Sequence, residues 1–170
     1  MRLGTEGGLA GLYAGICLRG KQSWEMADIV DRARRSEIMA RIGPRNTAPE
    51  MVVRRIAHRL GYRFRLHRKD LPGRPDLVLP RHRLAVFVHG CFWHRHEACV
   101  NSSMPKTRPA FWCAKFAATV ARDRRHIEAL HALGWRTLIV WECETEMQGL
   151  VEKILRRALA DDDHNAARCA

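Results

Sequence analysis

The apolar positions of this chain change period several times, and each change marks a new element. Residues 28–42 are polar and rich in arginine, which predicts a surface helix ending near Gly43-Pro44. A second helix opens at Thr47, with Pro49 in its first turn and Glu50 three residues after Thr47, the spacing of a capping box. Val52, Val53, Ile56, Ala57 and Leu60 keep helical spacing, and Gly61 is a natural stop. The period then falls to two: Tyr62, Phe64 and Leu66 alternate with Arg63, Arg65 and His67, predicting a half-buried strand. Leu71-Pro72-Gly73-Arg74-Pro75 is a turn, residues 76–79 a second strand, and Pro80-Arg81-His82-Arg83 breaks it. Residues 84–89 (LAVFVH) form a near-continuous apolar run, as a central strand would. A long helix is expected over 109–133 with Gly134 at its end, a last strand over 137–141, and a closing helix over 150–159. Helix, three strands, long helix, strand, helix predicts an α/β domain with a mixed β-sheet flanked by helices. No repeat interrupts it, and residues 161–170 read as a disordered tail.

Composition narrows the function classes. With 170 residues, 46% of them apolar, the chain suits one domain that builds its core without disulfides. Thirty Lys and Arg against eighteen Asp and Glu leave a net charge of +12, which favours a polyanionic partner. The basic residues run the length of the chain, a pattern that fits a folded groove better than a basic arm. No apolar run approaches the roughly 20 residues that span a bilayer. Residues 7–18, flanked by Arg2, Arg19 and Lys21, imitate a short signal sequence, but they are glycine-rich and no small-residue cleavage site follows. The domain-like pattern opens at Met26, so residues 1–25 read as a disordered leader or as the product of an upstream start codon. Residues 26–160 hold the domain, and the expected location is the cytoplasm.

The most specific local chemistry lies in Cys91-Phe92-Trp93-His94-Arg95-His96-Glu97-Ala98-Cys99, with Cys143 after a distant strand. Tetrahedral zinc takes soft or borderline ligands, and Cys91, His96, Cys99 and Cys143 supply three thiols and an imidazole for a closed structural site. Ordinary buried cysteines and surface histidines are the alternative. Cys17, Cys113 and Cys169 fall outside the group. Asp76 opens a strand that faces the one ending in Val88-His89. A carboxylate there and a backbone carbonyl on the neighbour together suit a hard cation such as Mg²⁺, the ion that phosphodiester hydrolysis calls for. His89 and His94 lie just beyond, where an imidazole can take a proton from an attacking water. Taken singly, Asp76 is also a turn residue, His89 a packed histidine and Glu50 a helix cap.

Taken together, Leu71-Pro72-Gly73-Arg74-Pro75-Asp76, His89-Gly90-Cys91-Phe92-Trp93-His94, Phe111-Trp112, Arg122-Asp123-Arg124-Arg125 and Leu133-Gly134-Trp135-Arg136 through Val140-Trp141-Glu142-Cys143 resemble the very short patch repair (Vsr) endonucleases, in order and spacing, from about Met26 to Ala160. The resemblance implies a restriction-endonuclease-like fold and a DNA nick 5′ of the thymine in T:G mismatches left by deamination of 5-methylcytosine. It implies that Asp76 and the main chain of Val88 hold Mg²⁺, that His94 is the general base, with His89 as a partner to the water on the metal, and that Glu50 is a supporting acid near His94. It places the zinc ligands on Cys91, His96, Cys99 and Cys143. Phe92, Trp93 and Trp112 become intercalating rings; on the residues alone, packing over the metal knot and sheet is an equal account. Arg122, Arg124 and Arg125 become contacts to the DNA backbone, where a solvated helix face is the ordinary alternative. Implied partners are double-stranded DNA and, functionally, a cytosine-5 DNA methyltransferase, with mismatch-repair proteins as further candidates and the enzyme acting as a monomer. Val88 replaces a threonine of the best-known member, and an extra residue separates His96 from Cys99. Two competing readings are a general restriction-type nuclease, which needs no aromatic wedge, and a non-catalytic zinc-stabilised DNA-binding module. A zinc hydrolase is disfavoured, since three thiolates close the metal site.

Overall fold

The structure, a computed structural model, describes residues 45–166. The helix expected over 28–42, the leader, Cys17 and Cys169 lie outside them. Helix α1 (Ala48–Arg59) opens with the expected capping box of Thr47 and Glu50 and carries proline in its first turn. Strands β1 (Arg65–Leu66), β2 (Leu77–Leu79) and β3 (Leu84–His89) follow, with a 3₁₀ turn over Pro80–His82. Then come the long helix α2 (Pro109–Ala132), strand β4 (Arg136–Trp141), a short helix α3 (Glu142–Thr145) and α4 (Gln148–Ala166). Among the described residues, no helix is long and apolar enough to cross a membrane.

The four strands lie in sequence order, β1-β2-β3-β4. The first two pairings are antiparallel and the last, β3 with β4, is parallel, so the sheet is mixed and β3 lies inside it, as its unbroken apolar run predicts. Because strand side chains alternate, β2 and β3 each feed two cores. Leu77, Leu79, Leu84, Val86 and Val140 join Val53, Ile56 and Ala57 of α1 and Val151, Leu155 and Leu159 of α4 on one face. Val78, Ala85 and Phe87 meet Leu71 and Leu130, with Trp135 packed alongside, on the other. The domain is thus a sheet between helices. Each fully buried leucine or valine contributes about 1.5–3 kcal/mol of transfer free energy.

Two expectations on extent change. The strand expected over 62–67 shrinks to Arg65–Leu66. Tyr62 and Phe64 do pack on the first core, but Leu66 is 43% exposed and His67 turns into left-handed backbone (φ 45°), ending the pairing. The closing helix starts two residues before the expected 150 and continues to Ala166, into the stretch read as tail.

Candidate active site

The site forms where β2 stops short. Its ladder covers β3 only from Leu84 to Val86, so the edge of β3 beyond Val86 is open to whatever precedes β2. That residue is Asp76. Its Oδ2 accepts the Val88 N–H at 2.8 Å. In a strand the N–H and C=O of one residue point to the same edge, so the Val88 carbonyl lies on the Asp76 side as well. The approach to Asp76 is set by the turn before it: Leu71 is buried, and Gly73 adopts φ +74° with its Cα pressed on α2, where a Cβ would come within 2.8 Å of His126 Nδ1. Burial, with help from the charge of Glu50, raises the Asp76 carboxyl above its ordinary value. The Val88 N–H, His67 and Arg54 pull the other way without reversing it. An oxygen donor so placed gains from a cation.

Glu50 serves as cap and site residue at once. Its carboxylate accepts from Asn46 N, Thr47 Oγ1 and Arg54 Nη2, the last at 2.6 Å. Arg54 lies on the buried face of α1, one turn after Glu50, and also reaches Asn46 Oδ1 and His67 Nε2. Glu50, His67 and Asp76 bring their donor atoms within 4.8 Å of one another, a grouping able to hold a metal ion. Arg54 and His67 were invisible to strand alternation. The available signal was a glutamate and an arginine at i and i+4 on the stripe that buries Val53 and Ala57.

Beside this group stands a second. His89, at the end of β3, stacks its ring on that of His94, with centroids 3.8 Å apart and planes at 12°. His94 Nδ1 lies 2.6 Å from Asp123 Oδ2 on α2. The carboxylate next to His94 is therefore Asp123, whereas the polar contacts of Glu50 are with Asn46, Thr47, Arg54 and His67. Asp123 was quoted in the Arg-Asp-Arg-Arg run without a role; a lone acid in a basic run was the signal. Burial works to raise the Asp123 carboxyl, but the bond and charge of His94 hold it below the ordinary range. A carboxylate at one nitrogen fixes the ring of His94 and leaves the other nitrogen to face a substrate or water.

Burial first, then His94, lowers His89 to about 4, so it is neutral at pH 7. A histidine whose folded pKa lies below its unfolded value binds fewer protons when folded, so stability rises with pH across that window. Acidification from pH 7 to 4 is expected to remove up to about 3 kcal/mol through His89, and His89→Gln should flatten the slope. Urea unfolding at several pH values checks this; equal slopes for both proteins would refute it.

Cys91, His96, Cys99 and Cys143 converge with donor atoms within 4.8 Å. His96 Nδ1 lies 3.3 Å from Cys143 Sγ and 3.7 Å from Cys91 Sγ, so the extra residue before Cys99 leaves His96 in the group. Arg95 and Ala98, both at φ 56°, coil the loop tightly on either side of it. Burial and the neighbouring thiols push Cys143 up to about 12, and burial raises Cys91 too. Four such donors fit a divalent transition ion, which ionises the thiols it binds. Cys113 sits on α2 outside the group. Trp141 stacks on His96 (4.3 Å, 10°) and meets His89 edge-on at 5.5 Å, joining the four-donor cluster to the histidine pair.

The rings of Phe92, Trp93 and Trp112 touch one another, with Phe116 buried beneath Phe92 and Trp112 and Phe111 46% exposed beside Trp112. Among the described residues, the ring contacts of Trp112 are with Phe92, Trp93, Phe111 and Phe116. Arg122 and Arg125 are exposed on α2 within one turn of each other. Arg124 lies roughly 200° round the helix from Arg122, with its Nε bonded to Glu128.

Known proteins are similar to this chain in sequence. The family model described as DNA mismatch endonuclease Vsr matches residues 27–100. The type II nicking enzyme V.XorIIP of Xanthomonas oryzae pv. oryzae is 49% identical over 134 residues, 79% of this chain and 98% of that one. The DNA mismatch endonuclease Vsr of Escherichia coli is 44% identical over 136 residues, 80% of this chain and 85% of that one. The nicking enzyme V.NmeAIP of Neisseria meningitidis serogroup A is 34% identical over 136 residues, 80% and 96% of the two chains. The protein is a DNA endonuclease. It belongs to the Vsr family.

Proposed function

We propose that this chain nicks double-stranded DNA 5′ of the thymine in T:G mismatches formed by deamination of 5-methylcytosine, starting very short patch repair. The observation that carries the reading is Asp76 bonded to the Val88 backbone at an open strand end, with the His89–His94–Asp123 group beside it. A restriction-endonuclease-like fold, with a cation site at the end of the mixed sheet, is the arrangement this reading calls for. Asp76 and the Val88 carbonyl would hold Mg²⁺; the valine side chain does not matter to a main-chain ligand. When bound, Mg²⁺ supplies Lewis-acid polarisation of the scissile phosphate. His94, oriented by Asp123, takes the proton of the attacking water, and His89 supports that ring by stacking. Glu50 acts from the Asp76 side through Arg54 and His67.

Phe92, Trp93 and Trp112 are the wedge. Inserting rings between base pairs costs a few kcal/mol per step, and least at a mismatch, which gives selectivity. Arg122 and Arg125 share a face suited to phosphates, and Arg124 joins them only by leaving Glu128. The four-donor cluster takes structural Zn²⁺ and holds the loop that bears the wedge. The enzyme works as a monomer, since one nick needs one centre. Its functional companion is a cytosine-5 methyltransferase, and its place is the cytoplasm, where mismatch-repair proteins meet the same lesions.

End-labelled duplexes carrying T:G or C:G at one position, in several flanking contexts with Mg²⁺ or EDTA, test this. A Mg²⁺-dependent nick 5′ of the mismatched thymine and none at C:G is the expected result. Cutting of both duplexes would favour a general restriction-type nuclease, and binding without cutting a DNA-binding module.

A further inference from the structure

Asp76 has two carboxylate oxygens, and the backbone holds only Oδ2. The other, Oδ1, faces His67, whose Nδ1 is 3.9 Å away. The opposite ring nitrogen, Nε2, lies 3.0 Å from Arg54 Nη2 and 3.9 Å from Glu50 Oε2. A guanidinium only donates, so Nε2 accepts that bond and the ring proton sits on Nδ1, on the Asp76 side. Arg54 is 8% exposed and pinned at 2.6 Å by both Glu50 and Asn46, so the donor is fixed. The backbone is committed as well: His67 adopts φ 45°, a conformation that carries strain outside glycine and here ends β1.

We propose that His67 is a positioning residue for Asp76: Arg54 sets its tautomer, and its Nδ1–H orients the oxygen that the backbone leaves free. This rests on the reading of Asp76 as a ligand of the catalytic cation. Glu50, His67 and Asp76 are close enough to share an ion, but Arg54 occupies the lone pair of Nε2 and a proton occupies Nδ1. His67 has no lone pair left to offer a metal. The cation therefore takes oxygens from Asp76 and Val88, and His67 acts through Asp76; a shift of under about 1 Å closes the 3.9 Å gap to a hydrogen bond. Such supporting groups commonly change metal affinity by about 10- to 100-fold.

The test is a titration of the zinc-loaded full chain with Mn²⁺, read by electron paramagnetic resonance of the free ion, so that no turnover is needed. His67→Ala is expected to weaken Mn²⁺ binding about tenfold. His67→Asn, whose amide nitrogen replaces Nδ1, should recover most of it, and His67→Gln, whose amide falls at Nε2, should not. In nicking assays His67→Ala should shift the half-activating Mg²⁺ concentration by the same factor and spare the rate at saturating metal. Equal Mn²⁺ affinity in parent and His67→Ala would overturn the proposal. A spin-echo nitrogen modulation present in the parent and lost in His67→Ala would do so too, by making His67 a direct ligand. Failure of the underlying reading has its own signature: Asp76→Asn would then bind Mn²⁺ as tightly as the parent, which removes the ground for both.

Discussion

Asp76→Asn is expected to abolish nicking, by about 10³-fold or more, while mismatch binding persists and the folded protein becomes more stable. Asparagine keeps an oxygen for the Val88 N–H, so the local backbone bond survives. What disappears is the negative charge that would hold a divalent ion, and a thousandfold loss corresponds to about 4 kcal/mol of transition-state stabilisation. The gain in stability follows from the direction of the Asp76 shift. Burial and the neighbouring Glu50 raise its folded pKa, so the folded chain binds this proton more readily than the unfolded one, and stability falls as pH rises through that window. At neutral pH the ionised group is a liability that the neutral amide removes. Single-turnover nicking and thermal melts of the metal-free proteins read the two halves separately. Retained nicking would take Asp76 out of the chemistry; a lower melting temperature would show that its charge is compensated elsewhere.

The second large effect is expected at the four-donor cluster. Cys91→Ser should eliminate bound zinc and lower stability by several kcal/mol, because structural zinc sites contribute their binding free energy to folding. The thiol is fully buried, and a hydroxyl there cannot replace a thiolate ligand. Cys113→Ser, on α2, should keep the metal. Metal content by mass spectrometry and urea unfolding with and without chelator provide the measurements. A zinc-free parent, or a Cys91→Ser chain that melts with it, would mean that the cluster is only packing.

Much of this was legible because periodicity reports burial. The apolar run of β3 and the capping box at Thr47 each carry a local physical cause, and the structure keeps them, whereas the period-2 stretch after Gly61 survives only as Arg65–Leu66. The four-donor cluster was legible because thiols and imidazole are an unusual vocabulary, and Asp76 because a proline-rich turn isolates it. The misses share another cause. His67 looked like the polar side of a strand, yet its positive φ turns the ring toward two carboxylates. Asp123 reaches His94 only once a helix from 29 residues further along packs beside β3. Glu50 pairs with Arg54, and the carboxylate bonded to His94 is Asp123. Such pairings depend on which face of one element meets which face of another, and no periodicity encodes that.

The parallel contact of β3 with β4 has a consequence for assembly. The β1-β2-β3 meander closes through short turns, but β4 can join only after the chain has looped out through all of α2. Long loops close slowly, because their entropy is lost before any ladder contact rewards it. Cys91 and Cys143 flank that same junction, one just past β3 and one just past β4. An ion gripping both thiols therefore closes the loop that the final strand requires. If the cluster holds an ion, its capture would set when the β3–β4 junction forms, and with it the site at the end of β3.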